Sequence, residues 1–283
     1  MMQVLVTGGN GQLAACIKDV CVDKSELEVT YTSVSDLDIT NKQQVDQFFA
    51  KHSFDWCINC AAYTAVDQAE SDIDLARKVN KDGAKHLAEA CKAHQVKLIH
   101  VSTDFVFDGK STKLYSEEDE VNPLGIYGLT KWEGEQAIAE TFEDYFIIRT
   151  SWLYSEHENN FMKTMLRLAE SRTELSVVAD QIGTPTYATD LAEVMLKIVT
   201  GNSSDFGLYH YSNEGVASWY DFAYAIFELQ KTSIHLFPIK TVEYPTPAER
   251  PKFSVMDKTK IKQTFKVEIP HWRSSLKHAI NKL

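Results

Sequence analysis

The sequence lacks any long apolar run and any excess of positive charge. No stretch approaches the roughly 18 apolar residues needed to cross a bilayer, and the first residues reach glycine too early for a secretory signal. With 29 Lys and Arg against 40 Asp and Glu, the net charge is -11. This balance disfavours a nucleic acid or an anionic membrane as a partner. We therefore expect a cytoplasmic protein that binds neither nucleic acid nor membrane.

Cysteines are few, and their spacing forms no regular framework. The five are Cys16, Cys21, Cys57, Cys60 and Cys91. An odd number without regular spacing predicts reduced thiols. Cys57 and Cys60 have the spacing of a redox pair, but they lie within an apolar run and have no second Cys or His pair for a metal. We interpret them as core residues.

Short apolar strands alternate with longer helices along the first half of the chain. Strands are predicted at 3–7, 27–32, 56–60, 96–101 and 146–150, with helices at 12–20, 41–51, 72–93 and 127–140. Strands joined by helices of this length form right-handed crossovers. The pattern predicts a doubly wound parallel α/β sheet over residues 1–150.

The second half is less regular. Residues 151–283 are predicted to form a smaller substrate-binding α/β part, with a helix near 160–170, a strand near 175–178 and a lid of short helices from 214 onward. Within it, 189–213 is expected to return to the main sheet through a helix that Thr189 can cap and a strand at 207–211. A length of 283 residues predicts either one large α/β domain or a large and a small domain that share a cleft.

A glycine turn follows the first strand. Gly8 and Gly11 stand between strand and helix, and Ala14 is small enough for the helix to pack near the strand. A strand, a glycine turn and a helix N-terminus together bind the pyrophosphate of a dinucleotide. As a pattern it is loose, and a plain glycine turn is the alternative.

Tyr127 and Lys131 lie four residues apart, on one face of a predicted helix. A lysine beside a phenol stabilises the phenolate, which makes the phenol a usable acid near neutral pH. Ser102 and Thr103 end the fourth strand, where parallel sheets bind ligands, and alternation lets only one of the two hydroxyls face a substrate. The alternatives are a solvated helix face for the first pair and a turn cap for the second.

These features together resemble the extended short-chain dehydrogenase/reductase superfamily, and within it the dTDP-4-dehydrorhamnose reductase family. The resemblance rests on NCAAYTAVDQAE (59–70), STDFVFDG (102–109), RTSW (149–152), DQIGTPT (180–186), GLYHYSN (207–213) and RPKFS (250–254). It covers the chain almost from end to end. It implies a Rossmann-type fold, hydride transfer from a reduced nicotinamide to the C4 ketone of dTDP-4-dehydro-L-rhamnose, and a role in polysaccharide biosynthesis.

The resemblance also implies roles for particular residues. Thr103 would hydrogen-bond the ketone, Tyr127 would donate the proton, and Lys131 would lower the phenol pKa and hold the ribose. Thr64, Thr103, Asp104 and Trp152 would line the sugar nucleotide, and the Trp152 ring could stack on the sugar or the pyrimidine. The implied cofactor residues are Gly8, Gly11, Gln12, Leu13, Asp38, Ile39, Ala61, Ala62, Tyr63, Val101, Tyr127 and Lys131.

Cofactor choice, metal and oligomeric state are less constrained. The second strand ends in Thr32 and Ser33, with neither an acid for a ribose diol nor an arginine for a phosphate, so we expect NADPH with NADH possible. Some members of the family are described as bridging dimers through magnesium and a glutamate in the first helix. Residues 14–16 supply no carboxylate, so we predict no such metal, and a homodimer is possible.

Two alternatives stay open. A sugar-nucleotide epimerase or dehydratase could share the scaffold, although a dehydratase typically has Asp-Glu after the threonine, and here Asp104 and Phe105 follow Thr103. A non-catalytic NADP-binding subunit, similar to the beta subunit of methionine adenosyltransferase, is the second. Intact Thr103, Tyr127 and Lys131 favour the enzyme.

Overall fold

A six-stranded parallel sheet forms the centre of the molecule, and the computed structural model describes all 283 residues. The strands are β1 (Met2–Thr7), β2 (Leu27–Thr32), β3 (Trp56–Asn59), β4 (Lys97–Thr103), β5 (Tyr145–Thr150), β6 (Leu153–Tyr154), β7 (Glu174–Val178), β8 (Ile182–Gly183), β9 (Thr186–Tyr187), β10 (Gly207–His210), β11 (Ala217–Ser218) and β12 (His235–Ile239). In the main sheet their order is β10-β5-β4-β3-β1-β2. The doubly wound α/β fold class is confirmed.

Helices cover both faces of this sheet. They are α1 (Gln12–Cys21), α2 (Lys42–Lys51), α3 (Val66–Ala69), α4 (Ile73–Arg77), α5 (Ala84–His94), α6 (Ile126–Thr141), α7 (Phe161–Ala169), α8 (Ala188–Thr200), α9 (Trp219–Gln230), α10 (Thr259–Phe265) and α11 (Trp272–Asn281). Alternation along β1 divides its side chains between the faces. Val4 and Val6 join the core formed with α1 and α8, and Leu5 joins the core formed with α2 and α5. None of the helices combines the length and the apolarity needed to span a bilayer.

The strand order places the ligand crevice. β1 pairs in parallel with both β2 and β3, so the connections run in opposite directions from β1. In open parallel sheets, ligands bind beyond the carboxyl ends of the strands where the order reverses. The glycine turn after β1 lies at this point.

Residues 151–283 build a second core. It contains Tyr154, Met162, Phe222 and Trp272 and is formed largely by α7, α9 and α11. Within the same part of the chain, α8 packs on the main sheet, and β10 pairs with β5 from Gly207↔Phe146 to His210↔Arg149. The proposed boundary between residues 150 and 151 stays a prediction.

Two local predictions were wrong. The helix expected at 72–93 is divided into α4, a π-helical segment (Lys78–Gly83) and α5. In that segment the buried Asn80 side chain accepts from Tyr63 N at 2.8 Å and donates to Tyr63 O and Thr130 Oγ1. These bonds hold the loop after β3 to α6, a tertiary role that helical periodicity does not reveal. Thr189 also does not cap α8, because it is the second residue of that helix, whose N-cap is Tyr187.

Candidate active site

One cavity of about 910 Å³ lies at the carboxyl ends of the main strands. It is lined by all sixteen residues predicted to bind cofactor or substrate: Gly8, Gly11, Gln12, Leu13, Asp38, Ile39, Ala61, Ala62, Tyr63, Thr64, Val101, Thr103, Asp104, Tyr127, Lys131 and Trp152. The fold therefore brings residues from distant parts of the sequence to a single site. Their individual roles stay predictions.

The glycine turn fits a dinucleotide. Gly8 has a φ of +69°, and a Cβ there would lie 2.7 Å from Ala61 N, so only glycine is accommodated between β1 and the end of β3. Gly11 is the N-cap of α1, and no side chain caps that helix. Uncapped N-H groups at a helix N-terminus attract phosphate. The turn thus has the shape and the donors that a pyrophosphate needs.

Tyr127 is positioned by close packing at the start of α6. The Glu70 carboxylate accepts a hydrogen bond from Ile126 N at 2.8 Å, which satisfies a free donor of the first turn. Gly128 allows the helix to approach the short 3₁₀ segment (Asp104–Val106), because a Cβ at 128 would fall 2.2 Å from Phe105 O. The Tyr127 ring meets the Phe105 ring edge-on, with centroids 5.6 Å apart.

The two hydroxyls at the end of β4 have different partners, as alternation predicts. Ser102 Oγ donates to the buried Glu135 at 2.5 Å. Thr103 Oγ1 donates to Asp104 Oδ1 at 3.2 Å and accepts from Phe105 N at 3.2 Å, and it is close enough to Tyr127 to lower the pKa of the phenol. The Thr103 hydroxyl is therefore the one beside the phenol.

Burial dominates the titration of the acids in the site. It raises the pKa of Tyr127 to about 12, with the Asp104 charge acting in the same direction and the Thr103 hydrogen bond opposing it. Burial likewise raises the pKa of Asp104 to about 7. Asp104, whose pKa lies near neutral pH, and the Tyr127 phenol thus lie on either side of Thr103. This arrangement is typical of proton-transfer sites.

Lys131 is buried and lines the cavity, and its Nζ lies against β4. Its Nζ donates to Val101 O at 2.7 Å and lies 3.3 Å from His100 Nε2. Burial lowers the pKa of Lys131 to about 8, although Glu135 and Cys60 oppose the change. Burial, Thr103 and Asp104 shift the pKa of the Tyr127 phenol. The expected effect of Lys131 on that pKa stays a prediction.

Trp152 lines the cavity beside a second tryptophan. Its backbone has a φ of 45°, an uncommon conformation for a large residue. Its ring stacks on Trp219, with centroids 3.6 Å apart and planes 8° from parallel. One face of the Trp152 ring is thus covered by Trp219, and stacking of a sugar or a pyrimidine on Trp152 stays a prediction.

Among the other residues that line the cavity, sequence reasoning gave no binding role to Trp219 and Arg250. Arg250 belongs to the RPKFS motif but was assigned to a lid, and it makes two hydrogen bonds to the Asp67 carboxylate at 2.8 and 2.9 Å. Arg250 and Lys131 are the only Lys or Arg residues that line the cavity. The motif was the available signal, whereas nothing local pointed to Trp219.

A cluster of potential metal ligands lies outside the cavity. Asp19, Glu156 and His157 have their ligand atoms within 4.8 Å of one another. His157 Nε2 is 2.7 Å from Asp19 Oδ2, and Glu156 accepts from Tyr187 and lies 3.2 Å from Lys282 Nζ. Protein groups thus already occupy these ligand atoms, and the expected absence of a metal stays a prediction.

The fold and the site together define a class. A parallel sheet with a glycine turn after β1, a threonine ending β4 and a Tyr-Lys pair on α6, all around one cavity, is the arrangement of a short-chain dehydrogenase/reductase-type oxidoreductase.

Comparison with known proteins narrows the class. The family described as RmlD substrate binding domain matches residues 2–283. A dTDP-4-dehydrorhamnose reductase of Aggregatibacter actinomycetemcomitans is 43% identical, with 98% of each chain covered. The chain belongs to the dTDP-4-dehydrorhamnose reductase family, whose enzymes are oxidoreductases of dTDP-rhamnose biosynthesis.

Solved structures agree. A dTDP-4-dehydrorhamnose reductase of Clostridium acetobutylicum superimposes with a TM-score of 0.96 at 43% identity and 99% coverage of both chains. The enzyme of Bacillus anthracis, determined in complex with NADP, gives a TM-score of 0.96 at 39% identity and complete coverage of both chains.

Proposed function

We propose that this protein reduces the C4 ketone of dTDP-4-dehydro-L-rhamnose to dTDP-L-rhamnose with NADPH. The observation that carries the proposal is the convergence of the glycine turn, Thr103, Tyr127 and Lys131 on one cavity, in a chain that belongs to this family.

The glycine turn and the surrounding loops would hold the cofactor. Gly8 and Gly11 allow the backbone to approach the pyrophosphate, and Ala61 and Ala62 provide a small-residue wall beside it. The relative from Bacillus anthracis was determined in complex with NADP. When bound, NADPH supplies the hydride that reduces C4.

Thr103 and Tyr127 would act on the ketone oxygen. Reduction places negative charge on that oxygen, which hydrogen bonds from the two hydroxyls stabilise. Tyr127 then transfers its phenolic proton to the oxygen. A phenol with a pKa of about 12 keeps its proton at neutral pH, so the acid form needed for reduction is the resting form.

Substrate recognition would combine charge and shape. The chain has a net charge of -11, so an anionic nucleotide sugar requires local cations. Arg250 provides one, and Asp67 holds its guanidinium in place. Thr64, Asp104 and the Trp152–Trp219 stack would form the remaining contacts around the sugar and the base.

Location and assembly are part of the same proposal. The five free cysteines suit a reducing compartment, where NADPH and nucleotide sugars are also used, and this supports a cytoplasmic enzyme. A homodimer is compatible with the family.

A turnover assay tests the proposal. The purified protein is mixed with dTDP-4-dehydro-L-rhamnose and NADPH or NADH, and absorbance of the reduced nicotinamide is followed while the product is identified by mass and by NMR. Oxidation of the cofactor with formation of dTDP-L-rhamnose is expected. Cofactor binding without turnover would indicate a regulatory subunit, and interconversion of sugars without net cofactor oxidation would indicate an epimerase.

A further inference from the structure

A row of buried polar side chains runs behind the catalytic lysine, outside the cavity. Thr7, Asn59 and His100 lie on β1, β3 and β4, and the register pairs Thr7 with Asn59 and Asn59 with His100. Residues in register on parallel strands point to the same face of a sheet. The three side chains therefore form a continuous line that ends at Lys131 on α6.

The line is sealed from solvent. Thr7, Asn59 and His100 are each 1% exposed, and Lys131 is 2% exposed. Buried polar groups at this depth need defined partners, since an unsatisfied donor or acceptor there costs about 1 to 3 kcal/mol. The hydrogen bonds along the line therefore determine which of its polar atoms carry a hydrogen.

Asn59 determines the tautomer of the His100 imidazole. Its Oδ1 accepts from Ala61 N at 3.1 Å, and a backbone N-H can only donate. The amide orientation is therefore settled, with Oδ1 also accepting from Thr7 Oγ1 at 2.7 Å. The remaining atom, Nδ2, must donate to His100 Nδ1 at 2.9 Å.

This bond leaves the proton of the neutral imidazole on Nε2. Burial holds the pKa of His100 well below its usual range, so the ring is neutral. A neutral ring that accepts at Nδ1 carries hydrogen at Nε2. The Nε2-H therefore faces Lys131 Nζ, 3.3 Å away.

A three-proton ammonium cannot accept from that N-H, whereas an amine can. We propose that His100 is a positioning residue for Lys131, whose Nε2-H, oriented by Asn59, meets the lysine lone pair and favours the amine over the ammonium form. Lys131 then donates one hydrogen to Val101 O and keeps the other for the cavity. Its significance for catalysis rests on the proposed reductase function, but the tautomer does not.

Two titratable groups near Lys131 act in the opposite direction. Glu135 lies one turn along α6, and Cys60 follows β3, and both favour the ammonium. His100 is the polar side chain that opposes them from β4. We therefore expect the protonation of Lys131 to change near the working pH and to depend on His100.

The first experiment measures the tautomer directly in the full-length protein. Two-dimensional ¹H–¹⁵N NMR on histidine-labelled protein distinguishes Nδ1-H from Nε2-H, and loss of one signal set in His100→Gln assigns the residue. An Nε2-H tautomer for His100 at neutral pH is expected. A protonated Nδ1 would overturn the inference, whether or not the protein reduces a sugar.

The second experiment follows Lys131 itself. In His100→Gln the amide can present its oxygen to the ammonium, so the ¹³Cε titration of Lys131 should move to higher pH by about one unit. The alkaline limb of the pH profile of kcat should also move to higher pH. His210→Gln is the matched control, because His210 is also buried but bonds Tyr115 O and Arg149 instead. No movement in His100→Gln, or equal movement in both variants, would overturn the inference.

Asn59→Asp provides a second route if His100→Gln does not fold. The carboxylate retains the acceptor for Ala61 N and accepts from His100 Nδ1-H, which reverses the tautomer and turns the Nε2 lone pair toward Lys131. The NMR signals should change to the Nδ1-H pattern. A histidine that stays Nε2-H in this variant would show that Asn59 does not orient the ring.

Discussion

Gly128 lies against Phe105 so closely that a Cβ on residue 128 would fall 2.2 Å from the Phe105 carbonyl oxygen. That carbonyl belongs to the backbone of the 3₁₀ segment that follows Thr103, so it cannot move without moving the threonine. The contact therefore couples the position of Tyr127, the neighbour of Gly128, to the position of Thr103.

Gly128→Ala should reduce kcat by at least about tenfold, because a displacement of even 1 Å of a catalytic group is costly. Stability should fall by roughly 1 to 3 kcal/mol from overpacking. Steady-state kinetics and thermal denaturation would show both effects. Gln136→Ala, at an exposed position of the same helix, is the control and should change neither. Normal activity in Gly128→Ala would mean that this packing does not position the phenol.

Tyr127→Phe should lower kcat by a factor of about 100 to 10,000, since general acid catalysis contributes that much. Cofactor affinity should change little. Lys131→Met should weaken both turnover and cofactor binding, because the amine faces the cavity as well as Val101 O. Titration of nicotinamide fluorescence alongside initial rates would separate the two patterns. A Tyr127→Phe enzyme that keeps more than about a tenth of the rate would remove the phenol from the mechanism.

Asp104→Asn should increase stability at pH 8 and lose that advantage as the pH falls. Burial raises the folded-state pKa of Asp104 from 3.8 to about 7, so the folded chain binds more protons than the unfolded chain between these values. The free energy of unfolding of the wild-type chain therefore falls as the pH rises through this window. The loss is roughly 1.4 kcal/mol for each unit by which the pKa changes, which gives a few kcal/mol in total.

Urea denaturation of both proteins at pH 4, 6 and 8 would measure this dependence. Asp119→Asn is a control of opposite sign, because hydrogen bonds from Ser116, together with Lys113, lower the pKa of Asp119 to about 2. That variant should lose stability at neutral pH and approach wild type in acid. An Asp104→Asn advantage that did not vary with pH would show that its origin is not the buried charge.

EDTA should leave turnover unchanged, because the hydroxyls of Thr103 and Tyr127 polarise the ketone without a metal. Dialysed enzyme, enzyme with EDTA and enzyme with added magnesium would be compared under initial-rate conditions. Asp19→Asn serves as a matched test of the Asp19–Glu156–His157 cluster and should behave like wild type. Activity lost with EDTA and restored by magnesium would contradict the prediction.

Much of the main sheet and the site could be predicted from local signals. The apolar runs around Val4 and Ile58 and the glycines at 8 and 11 each act within a few residues of themselves, through strand propensity and turn geometry. The four-residue spacing of Tyr127 and Lys131 is likewise a property of any helix. Such features are readable because the backbone conformation that they require is local.

The tertiary structure decided what depends on contacts between distant segments. The π-helical segment at Asn80 exists where a loop after β3 meets α6, and the stack of Trp152 on Trp219 joins residues 67 positions apart. His100 reads as one more residue of an apolar strand until the sheet register places Asn59 on one side of it and α6 places Lys131 on the other. Spacing in the sequence determined which groups could do the chemistry, whereas packing across the sheet decided which hydrogen atoms they carry, because burial leaves each polar group only the partners that the fold supplies.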